Sequence, residues 1–94
     1  MNTTANVQSR DDLRVLLKEL RARVVSPRRG KPVSQEELAE WVGVSRNWYA
    51  ALERGVPVSP SIPMLSRLAT ALNANREERL TMLRLAIPEL AKMF

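Results

Sequence analysis

The chain has 94 residues, 45 % of them hydrophobic but only four aromatic, which suits one small Leu/Ala/Val-packed helical domain and argues against a β sandwich. It has no cysteine and no histidine, so disulfides, thiolate chemistry and the common zinc sites are excluded. The net charge is +5, a balance compatible with a polyanionic partner.

In chain order, residues 1–9 (MNTTANVQS) are small and polar without periodicity and predict a flexible tail. With Arg10 they lack the apolar stretch of a secretory signal, and no run in the chain is apolar enough to span a membrane. A cytoplasmic protein is expected, nucleoid-associated when bound to its target. Ser9 with Asp12 fits a capping box, opening a helix to about Val24. Its apolar face is Leu13, Leu16, Leu17, Leu20 and Val24, with Arg14, Lys18 and Arg21 on the other side. Residues 26–32 (SPRRGKP) read as a loop, because two prolines and a glycine leave no room for a helix. Arg28, Arg29 and Lys31 make it the most basic stretch. Charge is uneven along the chain: residues 1–34 carry eight basic and three acidic groups, residues 35–60 two and four. The positive excess therefore precedes the central segment.

That segment, residues 35–55, reads QEELAEWVGVSRNWYAALERG. Ser34 with Glu37 forms a second capping box, and Leu38, Ala39 and Val42 give the helix an apolar face. Gly43 stands at a sharp turn where glycine takes a positive φ without steric cost. Val44 plugs the corner and Ser45 caps the next helix. Tyr49 and Leu52 face inward, and Gly55 stops the helix. Two short helices joined by such a turn are the pattern of a helix-turn-helix. Beyond it, residues 56–60 are an extended connector. Ser61 caps a fourth helix with Pro63 in its first turn and Ile62, Leu65, Leu68, Ala69 and Leu72 inward. Asn73 ends it, and Asn75 with Glu78 opens a fifth helix. This last helix carries two stripes, Leu80, Leu83 and Ile87 on one side and Met82, Leu85 and Ala86 on another, and Pro88 interrupts it or kinks it.

Gln35, Leu38, Ala39, Val42, Gly43, Val44, Ser45, Tyr49, Leu52, Glu53 and Gly55 resemble the pattern of the XRE family, the phage-lambda-repressor-like helix-turn-helix proteins. GVSRNWYAALERG, followed by PSIPMLSRLATAL, is similar more narrowly to the MmyB-like branch. The resemblance covers roughly Leu13 to Ile87. It implies an all-α, five-helix domain over residues 10–94 and sequence-specific binding of double-stranded DNA in transcriptional regulation. No enzymatic activity and no cofactor are expected of a chain without a histidine, a cysteine nucleophile or a Gly-rich phosphate loop. The acidic pairs Asp11/Asp12, Glu36/Glu37 and Glu77/Glu78 each fall in a first helical turn, where they offset the helix dipole rather than serve acid/base chemistry.

At 100° per residue, Asn47, Ala50, Ala51 and Arg54 point outward from the second motif helix, with Arg46 beside them. These are the expected base-reading residues: arginine pairs with guanine and asparagine with adenine in the major groove. The expected phosphate-binding set is Arg28, Arg29, Lys31 and Ser45, with Gln35 added by the resemblance through its side chain and backbone amide. The resemblance pairs Glu53 with an arginine of the first helix. Trp48 is expected to pack against the preceding helix or the basic loop rather than to contact DNA sugars, and Trp41 to form a core edge. Met82, Leu85, Ala86 and Met93 are assigned to a homodimer interface formed on DNA; the competing expectation is that this strip covers the first helix. The branch usually has arginine where this chain has Ala51, so its base preference does not transfer. Regulators of that branch begin a ligand-sensing second domain where this chain stops at Phe94, and a fragment and a stand-alone regulator both remain open. So does a second function, an antitoxin or adaptor that binds protein through its C-terminal stripe.

Overall fold

The structure, a computed structural model, describes residues 3–92. Among them are five α-helices and no strand: α1 Thr3–Arg23, α2 Gln35–Val42, α3 Arg46–Arg54, α4 Ile62–Ala71 and α5 Arg76–Ala86, followed by a 3-10 turn at Pro88–Lys92. The all-α, five-helix expectation holds.

Local chemistry sets most boundaries. The Ser34, Ser45 and Ser61 hydroxyl oxygens accept from the N–H groups of Glu37, Trp48 and Met64 at 3.1, 3.0 and 3.2 Å. Each satisfies one donor that a helix start leaves without a partner. Asn75 and Glu78 form the full reciprocal box. Gly43 and Gly55 close α2 and α3 at φ 81° and 83°, and Asn73 turns the chain after α4 at φ 56°.

Two starts differ from expectation. The backbone is helical from Thr3, so Ser9 lies inside α1 and residues 3–9, expected as part of a flexible tail, are helical. The segment has no proline or glycine to stop a helix, and extending an existing one is far easier than nucleating it. Ser34 caps α2, but the Glu37 carboxylate does not complete the box; its Oε2 accepts from the buried Ser26 Oγ at 2.9 Å.

The core gathers Leu13, Leu17 and Leu20 of α1, Leu38, Ala39 and Val42 of α2, Tyr49 and Leu52 of α3, and Leu65, Leu68 and Ala69 of α4. Each leucine so buried stabilises the fold by about 2 kcal/mol through the hydrophobic effect. α1 packs against both α3 and α5, α2 against α3 and α4, and α4 against α5. Ile62, expected inward, is 50 % exposed in the first turn of α4, and Met64 takes the core position. Trp41, expected at the core edge, is 41 % exposed beside Ser66, Arg67, Thr70 and Ala71 of α4. Met82, assigned to an interface between copies, is 1 % exposed and belongs to the core. Leu85 and Ala86 are half-buried and pack against that core as well. Met82, and in part Leu85 and Ala86, are therefore used within the fold. Met93 lies outside the described residues.

Candidate nucleic-acid interface

The outer face of α3 is built by its inner one. Tyr49, Leu52 and Glu53 are buried, which leaves the opposite side of the helix to project outward. Arg46, Asn47 and Arg54 are exposed and Ala50 and Ala51 half-exposed, so all five expected reading residues share one convex face. Ser45 holds the start of this helix and Gly55 its end. Trp48 is half-buried and packs against the core.

Glu53 locks the orientation of α3. Arg21 Nε and Nη2 donate to its Oε2 and Oε1 at 2.9 and 2.8 Å. Gln35 Nε2 donates to Oε1 at 3.0 Å and the Tyr49 hydroxyl to Oε2 at 2.6 Å. Three helices meet at one carboxylate. Burial alone would push its pKa up; the hydrogen bonds from Arg21, Tyr49 and Gln35 outweigh that and hold it below the ordinary carboxylate value. Burial, followed by the bond to Glu53, pushes the Tyr49 hydroxyl far up, so it remains a donor. The bond to Glu53 raises Arg21 further.

The basic segment is more ordered than a proline-rich loop suggests. The Ser26 N–H donates to the Lys31 carbonyl at 2.7 Å, the Gly30 N–H to the Ser26 carbonyl at 2.9 Å, and the Val33 N–H to the Val24 carbonyl at 2.8 Å. Gly30 makes the turn at φ 66°. Ser26, fully buried, fastens this turn to α2 through Glu37. Sequence reasoning missed that role: the partner is eleven residues away, and a serine in a loop carries no sign of burial. The three cations stay exposed on the turn. Arg29 also closes it, its Nη2 donating to the Pro32 carbonyl at 2.9 Å. Arg28 stands 3.6 Å from Glu40 with both side chains largely in solvent, a pair too weak to withhold its charge from a phosphate.

Two assigned phosphate ligands are modified by what they bond. Gln35 commits one of its two side-chain N–H groups to Glu53, which leaves the second for an anion; its backbone amide in the first turn of α2 is likewise suited to phosphate. Ser45 accepts from Trp48 through its oxygen and keeps a hydroxyl proton to donate. The interface therefore combines an outward helix, a fastened basic turn and a helix N-terminus. A two-helix motif with the second helix exposed and the first crossing behind it is the geometry of a helix-turn-helix domain. A helix-turn-helix domain model matches residues 12–82, well over half of the chain, and the chain belongs to that family. Comparison with curated proteins and with solved structures returned no match.

Proposed function

We propose that the domain is a sequence-specific double-stranded DNA-binding transcriptional regulator of the XRE type, similar to the MmyB-like branch. The observation that carries this is the outward face of α3. Arg46 and Asn47 are exposed in its first turn, and neither makes an ion pair or side-chain hydrogen bond among the described residues. The N-terminal turn of such a helix enters the major groove, where an arginine recognises guanine O6 and N7 and an asparagine adenine N6 and N7. Ala50 and Ala51 keep the surface low enough for close approach. Arg28, Arg29, Lys31, Ser45 and the Gln35 amide hold phosphates and set the register.

One helix reads only a few base pairs, so the domain acts as a homodimer on half-sites about 34 Å apart. The half-exposed parts of Leu85 and Ala86, beside the connector at residues 57–60, support this reading as a surface for the second copy. Selection from a random duplex library tests the reading. A preferred site, lost at one position per half-site in Asn47→Ala, is the expected result; retention of no sequence above background would refute it.

A further inference from the structure

The phosphate ligands assigned so far approach α3 from the side of α2 and the 26–32 turn. The structure brings a second group of cations to the other end of the helix. Arg14, Lys18 and Arg21 recur at i, i+4 and i+7 on α1 and so lie along one side of it. The outer two are located by α3 itself. Arg21 Nη2 is 2.8 Å from Glu53 Oε1, and Arg14 Cδ lies 3.9 Å from the point where a Cβ on Gly55 would stand. Lys18 stands between them in the sequence, on the same side of α1, and is exposed.

The fold makes different use of these charges. Arg21 is bound to Glu53, and Arg23 on the same helix to Glu78 at 2.9 Å. Arg14 and Lys18 make no ion pair or side-chain hydrogen bond among the described residues. One carboxylate stands at the same corner: Asp11 Oδ1 is also 3.9 Å from that Cβ position. Against Arg14 and Lys18 on the same side of α1, its single negative charge leaves a positive balance. A helix about 10–12 Å across fills a major groove about 12 Å wide. Both phosphate walls then come within reach of long side chains flanking the helix.

We infer that Arg14 and Lys18 form a second phosphate grip, on the wall of the groove opposite the 26–32 turn, so that each bordering strand is held by its own cations. This rests on the DNA-binding reading above. It assigns α1 a direct contact with DNA besides its part in the core.

The test compares wild type, Arg14→Ala/Lys18→Ala and the charge-keeping Arg14→Lys/Lys18→Arg across a salt series, on selected and random duplexes. Phosphate-ethylation interference is read in parallel. The alanine pair should make the slope of log K against log salt shallower by about 1.8, about 0.9 per phosphate, equally on both duplexes. The charge-keeping pair should retain the wild-type slope. Ethylation interference should vanish on one strand, while the interference that depends on Arg28, Arg29 and Lys31 persists on the other. Lys18→Gln, a change at an exposed position, should by itself lower the slope by about 0.9 and covers any folding defect in the double variant. Normal wild-type binding with unchanged slopes in both variants overturns this inference and leaves the DNA reading intact. Wild type that binds no duplex overturns the reading itself.

Discussion

Glu53 shows how one residue can serve fold and interface together. A carboxylate 1 % exposed is costly to bury unless its oxygens are fully engaged, and here four hydrogen bonds from three side chains engage them. Removing it strands a partly buried guanidinium, so Glu53→Ala should cost about 3 kcal/mol in denaturant unfolding. Its folded pKa lies below the ordinary 4.5; the unfolded chain therefore takes up protons first as pH falls. The stabilisation is complete above about pH 4.5 and diminishes as pH drops below that value through the folded pKa. Glu53→Gln should accordingly flatten the acid side of the stability profile, and an unaltered profile would mean that the carboxylate is not so held. Asn47 makes the contrasting case. It is exposed, and alanine has the higher helix propensity, so Asn47→Ala should leave the melting temperature equal or slightly higher. Its cost should appear as about 1–3 kcal/mol on the preferred site with random binding unchanged. Equal weakening on both duplexes would make Asn47 a backbone clamp.

The central helices were legible in the sequence because their limits are set by neighbours. Ser34, Gly43, Ser45 and Gly55 bound α2 and α3 through contacts within a few residues. Gly43 offers a clean measure of that local control. Its φ is 81° and a Cβ there would meet nothing within 4 Å, so Gly43→Ala should cost about 1–2 kcal/mol of backbone strain alone. A thermal unfolding comparison checks it; an unchanged melting temperature would show that the turn relaxes. What the sequence did not disclose depends on distant partners. The order of the 26–32 turn comes from Ser26 reaching Glu37 across to α2, and no composition rule sees that pairing. Nor does periodicity alone distinguish a stripe that packs into its own core from one that meets another molecule, which is why Met82, expected at an interface, lies in the core. The basic turn remains a phosphate ligand by proposal. Replacing Arg28, Arg29 and Lys31 by alanine should weaken specific and random binding alike and make the salt slope shallower by about 0.9 for each phosphate no longer neutralised. An unchanged slope would leave the turn as solvated surface.

At the scale of the whole molecule, α1 is the spine on which α3 and α5 both rest. Arg21 ties it to the reading helix and Arg23 ties it to α5 through Glu78. Hydrogen bonds from Arg23 and from the Asn75 backbone lower the pKa of Glu78, so its charge persists in mild acid. Met82 of α5 is buried in the core. A methionine so enclosed contributes its transfer free energy and fills a space that its neighbours close only in part when it is cut back. Met82→Ala should therefore cost about 3 kcal/mol, a large share of the stability of a domain this size, and lower Tm by roughly 15 °C. Because the destabilisation arises within one chain, it should be the same at every protein concentration. An interface between copies behaves otherwise: mass action makes the stability of an associating protein depend on its concentration. Melting curves across a hundredfold dilution separate the two, and a destabilisation in Met82→Ala that changed on dilution would return this residue to a surface shared between copies.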